Sequence, residues 1–201
     1  MKIEIKKLSP SLIDDYLDFF ENHAFTDDSE FAGCYCVWYH WTEELEKDRE
    51  KSTEDLKVNY KKNLAVKLIE QGLLNGFLAY ADNVVIGWCN ADYKQNYDRL
   101  NRKNAPELWI GSEDDQKIIS IVCYLVKPEM RGKGVATELL RAVCQDAKEN
   151  GYDYVEAYPG INDDGSPHYH GNYSMYTKQG FYLFQNNSET TIVRKKPGLE
   201  K

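Results

Sequence analysis

The stretch that most restricts this chain runs from Lys117 to Asn150. It opens with "KIISIVCYLV", an unbroken apolar run of the kind that fills a central strand buried on both faces. It continues through "KPEMRGKG" into a segment whose apolar positions Val135, Leu139, Val143 and Ala147 recur every four residues, with Gly151 as the stop. A buried strand delivered through a glycine-rich turn into an amphipathic helix is the half-unit of an α/β layer fold. The last four residues of the turn, "RGKG", carry two glycines and two cations, Arg131 and Lys133. Successive backbone N–H groups at a helix start, backed by the helix dipole, form a nest for an anion, and a pyrophosphate is the natural guest. A bare strand-to-helix turn without a ligand is the competing reading of the same residues.

Two common phosphate motifs do not fit. A P-loop requires G-x-x-x-x-G-K-[ST], but Lys133 is followed by Gly134. The dinucleotide fingerprint G-x-G-x-x-G matches at Gly132 and Gly134 and fails at Thr137.

The rest of the chain builds around this unit. "KIEIKKL" reads as a short strand, and "SPSLIDDYLDFFENHA" as an amphipathic helix capped by a serine, with Leu12, Tyr16, Phe19 and Phe20 inward. An aromatic stretch, "CYCVWYHW", precedes a long charged helix from about Thr42 to Gln71, with a break expected near Ser52–Thr53 and a stop at Gly72. Asp82–Asn83 is the turn pair of a hairpin. The polar run from Lys94 to Gln116 reads as a long connection, "YDYVEAYP" as a strand, and "FYLFQNN" with "TTIVRK" as a closing hairpin. The expected fold is α/β (α+β): one domain over residues 1–201 with a mixed central sheet of about six to seven strands flanked by helices.

Composition narrows the function. With 33 acidic against 25 basic residues, the net charge of −8 is the wrong sign for a nucleic-acid binder. No run approaches the ~18 apolar residues of a membrane span. Five scattered cysteines, an odd number, argue for reduced core thiols and a cytoplasmic location. Cys34-x-Cys36 with His40 and His23 has the wrong spacing for a four-ligand zinc site, and no metal is expected.

The string V-x-P-x-x-R-G-x-G-x-A after a buried strand resembles the acetyl-CoA signature of the GNAT superfamily of N-acetyltransferases, whose core is [QR]-x-x-G-x-[GA]. Arg131, Gly134 and Ala136 stand in its three places. Downstream, "MYTKQGF" resembles the superfamily's "LYEKLGF" helix end. The two motifs lie within residues 117–184. The resemblance implies acetyl-CoA as co-substrate, held in an opening between two central parallel strands. Tyr124, Leu125 and Val126 would meet the pantetheine arm, and Arg131, Gly132, Lys133, Gly134, Val135, Ala136 and Thr137 the pyrophosphate. It also implies direct transfer to a primary amine of a small cationic molecule or a peptide, with Tyr176 as the acid for the leaving sulfur.

For the base, Glu156 matches a family position; strand alternation leaves it either against apolar neighbours or facing water. Water, His168 and His170, beside Asp163 and Asp164, are the alternatives. Two places depart from the family pattern: Ser120 stands where the histone-type branch has a glutamate, and Tyr169 where some members have an asparagine, with Asn172 nearer the tyrosine. The aromatic stretch and "GWCNADY" are expected to line the acceptor pocket, where the rings could hold a cation. A non-catalytic CoA-binding regulatory or sensor domain is the alternative function, and transfer of a longer acyl group or to a hydroxyl a third. Tyr176 and Glu156 together favour an enzyme. The edge strand of the closing hairpin makes a homodimer one expected assembly.

Overall fold

A computed structural model describes residues 1–27, 29–53, 56–57, 59–160, 169–186 and 190–198. Seven strands form a single sheet: β1 (Glu4–Lys7), β2 (Gly76–Ala81), β3 (Val84–Tyr93), β4 (Ile118–Val126), β5 (Tyr154–Ala157), β6 (Tyr182–Asn186) and β7 (Thr191–Lys195), in the order β1-β2-β3-β4-β5-β7-β6. Every neighbouring pair is antiparallel except β4 and β5. Five α-helices are found among the described residues: α1 (Ile13–Asp18), α2 (Glu43–Lys51), α3 (Tyr60–Glu70), α4 (Val135–Glu149) and α5 (Tyr173–Lys178). This is the mixed sheet of six to seven strands, flanked by helices, that the sequence pattern implies.

Local chemistry accounts for most boundaries. Asp82 and Asn83 both take positive φ (50° and 64°), the geometry of a tight hairpin turn, and they join β2 to β3. The charged helix does break where expected: α2 ends at Ser52, whose backbone is extended, and α3 runs to a stop at Gly72. Thr42 caps α2 by accepting the Leu45 N–H at 3.2 Å. The first helix is less regular than its sequence. It enters through a 3-10 turn at Pro10–Leu12 and widens into a π turn over Phe19–His23. Ser9 is not its side-chain cap, because its hydroxyl is engaged with that of Ser11 at 2.9 Å.

The sheet separates two apolar layers. On one face α4 buries Val135, Leu139, Leu140, Val143 and Ala147 against Phe77, Ala79, Cys89, Ile119 and Ile121. Each large aliphatic side chain there contributes roughly 1.5–3 kcal/mol by leaving water. On the other face α1 and α3 pack Tyr16, Phe19, Leu64 and Leu68 onto Leu78, Trp88 and Leu125. The connection between β3 and β4 covers the remainder of that face with Tyr97, Leu100, Leu108 and Trp109. It is therefore a packed segment with two 3-10 turns, Lys94–Asn96 and Pro106–Trp109, despite its polar composition.

Candidate active site

The site is built where the sheet changes direction. β4 and β5 pair in parallel from Ile118↔Tyr154 to Ile121↔Ala157 and then part, although β4 continues to Val126. On its other edge β4 stays paired with β3, with a register shift that places Asn90 opposite Cys123 and Ala91 opposite Ile121. The bulge leaves Val122 as the extra residue and reverses the alternation. Ile119, Ile121 and then Tyr124 share the α4 face, while Cys123 and Leu125 turn to the other. The chain ahead of α5 enters the resulting opening. The Tyr124 N–H donates to the Tyr169 carbonyl at 2.5 Å, and Asn172 bridges to Gly160 on the β5 side.

The helix entrance lies at the mouth of the same opening. Gly132 and Gly134 have φ of 73° and 85°, left-handed values that a side chain disfavours. Gly134 is the N-cap of α4 and no side chain caps the helix, so its first-turn N–H groups have no partner of the kind a cap provides. A Cβ placed on Gly132 or Gly134 would meet nothing within 4 Å, so the side-chain side of both glycines is open. Arg131 adds a guanidinium whose Nη1 lies 2.5 Å from Asp27 Oδ2, and its Nε donates to the Val126 carbonyl at 3.3 Å.

A cleft of about 710 Å³ joins these parts. Of the ten residues assigned to the cofactor from sequence, Tyr124, Leu125, Val126, Arg131, Gly132, Gly134, Val135, Ala136 and Thr137 line it. Lys133 does not, and its exposed side chain lies outside the lining. The opposite wall, from Tyr169, the α5 residues Met175 and Lys178, and the α5 C-cap Gln179, was not foreseen. Nothing in its spacing marks it as a cleft wall; only the placement of α5 against α4 does.

Tyr176 is not among the residues that line this cleft. Its ring is fully buried and its hydroxyl donates to the His170 carbonyl at 2.7 Å. Gly171, at φ 76°, lines the cleft, and a Cβ there would come within 3.2 Å of the tyrosine oxygen. Burial pushes the Tyr176 phenol well above its usual range, so it stays protonated, with that proton engaged by the His170 carbonyl.

Glu156 is elsewhere, and neither environment expected for it is correct. It is fully buried on the face opposite α4, and both its oxygens are occupied. Lys94 Nζ and Tyr158 Oη bond Oε1, the latter at 2.9 Å, while Arg194 grips Oε2 with Nε at 2.8 Å and Nη2 at 2.6 Å. The physical reason is sheet order: β7 lies beside β5 and sets Arg194 opposite Glu156. Lys94 comes from the first 3-10 turn after β3 and lies with its ammonium 4.5 Å from the centre of the Trp109 ring. Desolvation lowers the Lys94 pKa, partly offset by Glu156.

Other sequence candidates also resolve. Asp163, Asp164 and His168 lie outside the described residues. The His170 ring stands edge-on to Tyr39, 6.4 Å between centroids. His23 is bonded to Asp18 at 3.1 Å, whereas His40 is buried with its ring 5.1 Å from that of Tyr97. Burial drops the His40 pKa to about 4. Among the described residues no group of three or more His, Cys, Asp or Glu side chains is placed to hold a metal ion. The aromatic stretch is divided: Cys36, Val37 and Trp41 belong to the core, while exposed Trp38 is stacked by the Arg99 guanidinium at 3.7 Å. Trp38 therefore already has a cation on its ring. In the connection before β4, Ser112 accepts from Arg194 at 2.6 Å and Asp114 pairs with Arg102 at 3.3 Å.

The sequence profile of the acetyltransferase (GNAT) family matches residues 11–181. The chain belongs to that family. This GNAT protein is an acyltransferase, and acetyl-CoA is its co-substrate. Solved structures share the fold at low identity. A PaiA N-acetyltransferase from Thermoplasma acidophilum, solved with coenzyme A, is 19% identical with TM-score 0.54, covering 98% of this chain and 99% of that one. A GNAT acetyltransferase from Listeria monocytogenes is 12% identical with TM-score 0.56, covering 96% and 94%. A polyamine N-acetyltransferase from Drosophila melanogaster is 10% identical with TM-score 0.51, covering 96% and 97%. No curated protein matches the sequence.

Proposed function

We propose that this GNAT protein transfers the acetyl group of acetyl-CoA directly to a primary amine of a small cationic molecule or a peptide. The observation that carries the cofactor half of this reading is the uncapped, glycine-opened start of α4 at one end of a cleft that reaches the end of β4 where it has parted from β5. In this reading the N–H groups from Gly132 to Thr137 hold the pyrophosphate, aided by Arg131, with Lys133 contributing charge from outside the cleft. Leu125 and Val126 offer backbone groups to the pantetheine arm, as does the Tyr124 carbonyl, the Tyr124 N–H being held by Tyr169, and a backbone N–H near Val126 polarises the thioester carbonyl.

In the transfer the neutral amine nitrogen forms a bond to the acetyl carbon and the carbon–sulfur bond breaks. The thiolate takes a proton from Tyr176, which must first release the His170 carbonyl; the nitrogen gives one up to solvent, and solvent returns one to the phenolate. Holding amine and thioester together supplies most of the acceleration. Glu156 has no free oxygen for the amine, so its part in this reading is exerted through its neighbours.

Five free thiols fit a reducing cytoplasm. No helix among the described residues is long and apolar enough to cross a membrane. The β6 edge exposes Tyr182 and Leu183, which supports a homodimer as the assembly.

The test has two stages. Melting temperature with and without acetyl-CoA is measured for the wild type and for an Arg131→Ala/Lys133→Ala variant; a rise confined to the wild type supports the cofactor site. Thiol release is then followed with a diamine, an aminoglycoside and a lysine peptide. Turnover of any of them supports transfer to an amine. Binding without turnover of any amine favours the regulatory domain instead.

A further inference from the structure

Tyr35 and Cys36 are consecutive residues with left-handed backbones, at φ of 43° and 50°. Neither is a glycine, so the conformation is disfavoured at both and persists only where the surroundings impose it. Two buried side chains do so. Tyr16 of α1 donates its hydroxyl to the Tyr35 carbonyl at 2.7 Å, and Asn90 of β3 donates Nδ2 to the Cys36 carbonyl at 3.2 Å. Asn90 is itself fixed, because its Oδ1 accepts from the Tyr97 hydroxyl at 2.7 Å.

This clamp decides where the Cys36 thiol goes. Asn90 stands opposite Cys123 in the pairing of β3 with β4, so the residue that holds the Cys36 backbone also flanks Cys123. Both cysteines are buried in the same cluster, and their thiols are hydrogen-bonded to each other. That bond holds the Cys36 thiol below its usual range against the effect of burial; it raises Cys123 well above its own, with burial adding to the rise. One sulfur is thus the readier thiolate, and the other keeps its proton. Cys34 is a third thiol nearby, but its sulfur accepts from the Cys36 N–H at 3.5 Å and burial pushes it up to about 12.

The pair is not sealed. Cys36 and Cys123 keep 5% and 8% exposure. The turn that carries Cys36 is closed by isolated bonds, from the Cys34 N–H to the Phe31 carbonyl at 3.1 Å and from the Val37 N–H to the Cys34 carbonyl at 3.3 Å. Such a turn opens more readily than the strands beside it.

We propose that Cys36 and Cys123 are an oxidisable dithiol, a modification site at which hydrogen peroxide forms a disulfide between the turn and β4. The Cys36 thiolate attacks the O–O bond and becomes a sulfenic acid, and the other oxygen leaves as hydroxide, which takes up the proton Cys36 had released. The Cys123 sulfur then attacks Cys36 and the S–S bond forms. A second water departs with the Cys36 hydroxyl and the Cys123 proton. Two thiols lose two electrons, one peroxide is reduced to two waters, and a thiol reductant reverses the change. The bridge fastens the turn to β4 at the residue before Tyr124. In a reducing compartment such a bridge is transient, as suits a redox-sensing pair.

Reduced protein is exposed to a slight excess of hydrogen peroxide, its remaining thiols are alkylated, and the cysteine peptides are read by mass spectrometry. The expected product is a Cys36–Cys123 disulfide, reversed by dithiothreitol, with Cys34, Cys89 and Cys144 alkylated. Cys36 is expected to react about tenfold faster than Cys89 or Cys144, a preference lost in urea. Cys123→Ser is expected to stop at a Cys36 sulfenic acid that dimedone traps, whereas Cys34→Ser forms the wild-type bridge. The wild-type map stands whether or not either variant folds. A Cys34–Cys36 bridge, a bridge between chains, or a Cys36 no faster than Cys89 overturns the proposal.

Discussion

The Arg131 guanidinium and the Asp27 carboxylate meet at the mouth of the cleft, Nη1 2.5 Å from Oδ2, across 104 residues of sequence. The pair is partly exposed, with side chains 48% and 34% accessible, so it adds little to stability. Its consequence is competition, since a phosphate and Asp27 draw on the same cation. Arg131→Ala is expected to weaken acetyl-CoA binding about 10- to 100-fold, the range of a lost charge-assisted hydrogen bond. Asp27→Asn is expected to tighten it by a few-fold, with little change in melting temperature. Calorimetric titration of both variants checks the two opposite signs.

Tyr176→Phe separates chemistry from cofactor binding. Removing the hydroxyl leaves the His170 carbonyl short of a donor and costs about 1–2 kcal/mol of stability. If the phenol protonates the leaving thiolate, kcat falls about a hundredfold while acetyl-CoA affinity holds. Because burial keeps the proton on Tyr176, its ionisation contributes no alkaline limb to the rate profile below about pH 10. A kcat equal to that of the wild type removes Tyr176 from the acid role.

His40 makes stability depend on acid. The folded imidazole stays neutral to about pH 4, while the unfolded one takes a proton near its ordinary 6.5. Its contribution is complete above pH 6.5 and is lost as pH falls towards 4, a change of about 3 kcal/mol. Urea unfolding between pH 7 and pH 4 is expected to show this slope, and His40→Phe to flatten it. An equal slope in the variant would assign the acid sensitivity to other groups.

Gly134→Ala tests the helix entrance without filling space. No atom lies within 4 Å of the added Cβ, so the cost is the left-handed φ of 85° alone, roughly 1–2 kcal/mol. The residue can escape that strain only by moving the α4 N-cap. Acetyl-CoA affinity is therefore expected to fall along with melting temperature. Thermal melts with and without ligand check both, and unchanged affinity would detach the α4 start from the phosphate site.

The parts legible from sequence are those set by neighbours along the chain. The apolar run of β4, the glycines before α4, the fourfold periodicity of that helix and the Asp82–Asn83 turn each follow from local sterics or from one buried face. They located one wall of the cleft, Lys133 excepted. Lys94 shows the limit: within a polar run it reads as a solvated lysine, yet it is fully buried against Glu156 and Trp109. Its partner lies 62 residues away, and no periodicity carries such a pairing.

What the tertiary structure alone decided follows from sheet order. Placing β7 between β5 and β6 brings Arg194 to Glu156 across 38 residues and converts a candidate base into a buried anchor. Parting β4 from β5 after Ile121 and Ala157 creates the opening that the chain ahead of α5 enters. Side-chain alternation reports which residues share a face. Which strands are neighbours is decided by how the layers pack, and through it which charges must satisfy one another away from water.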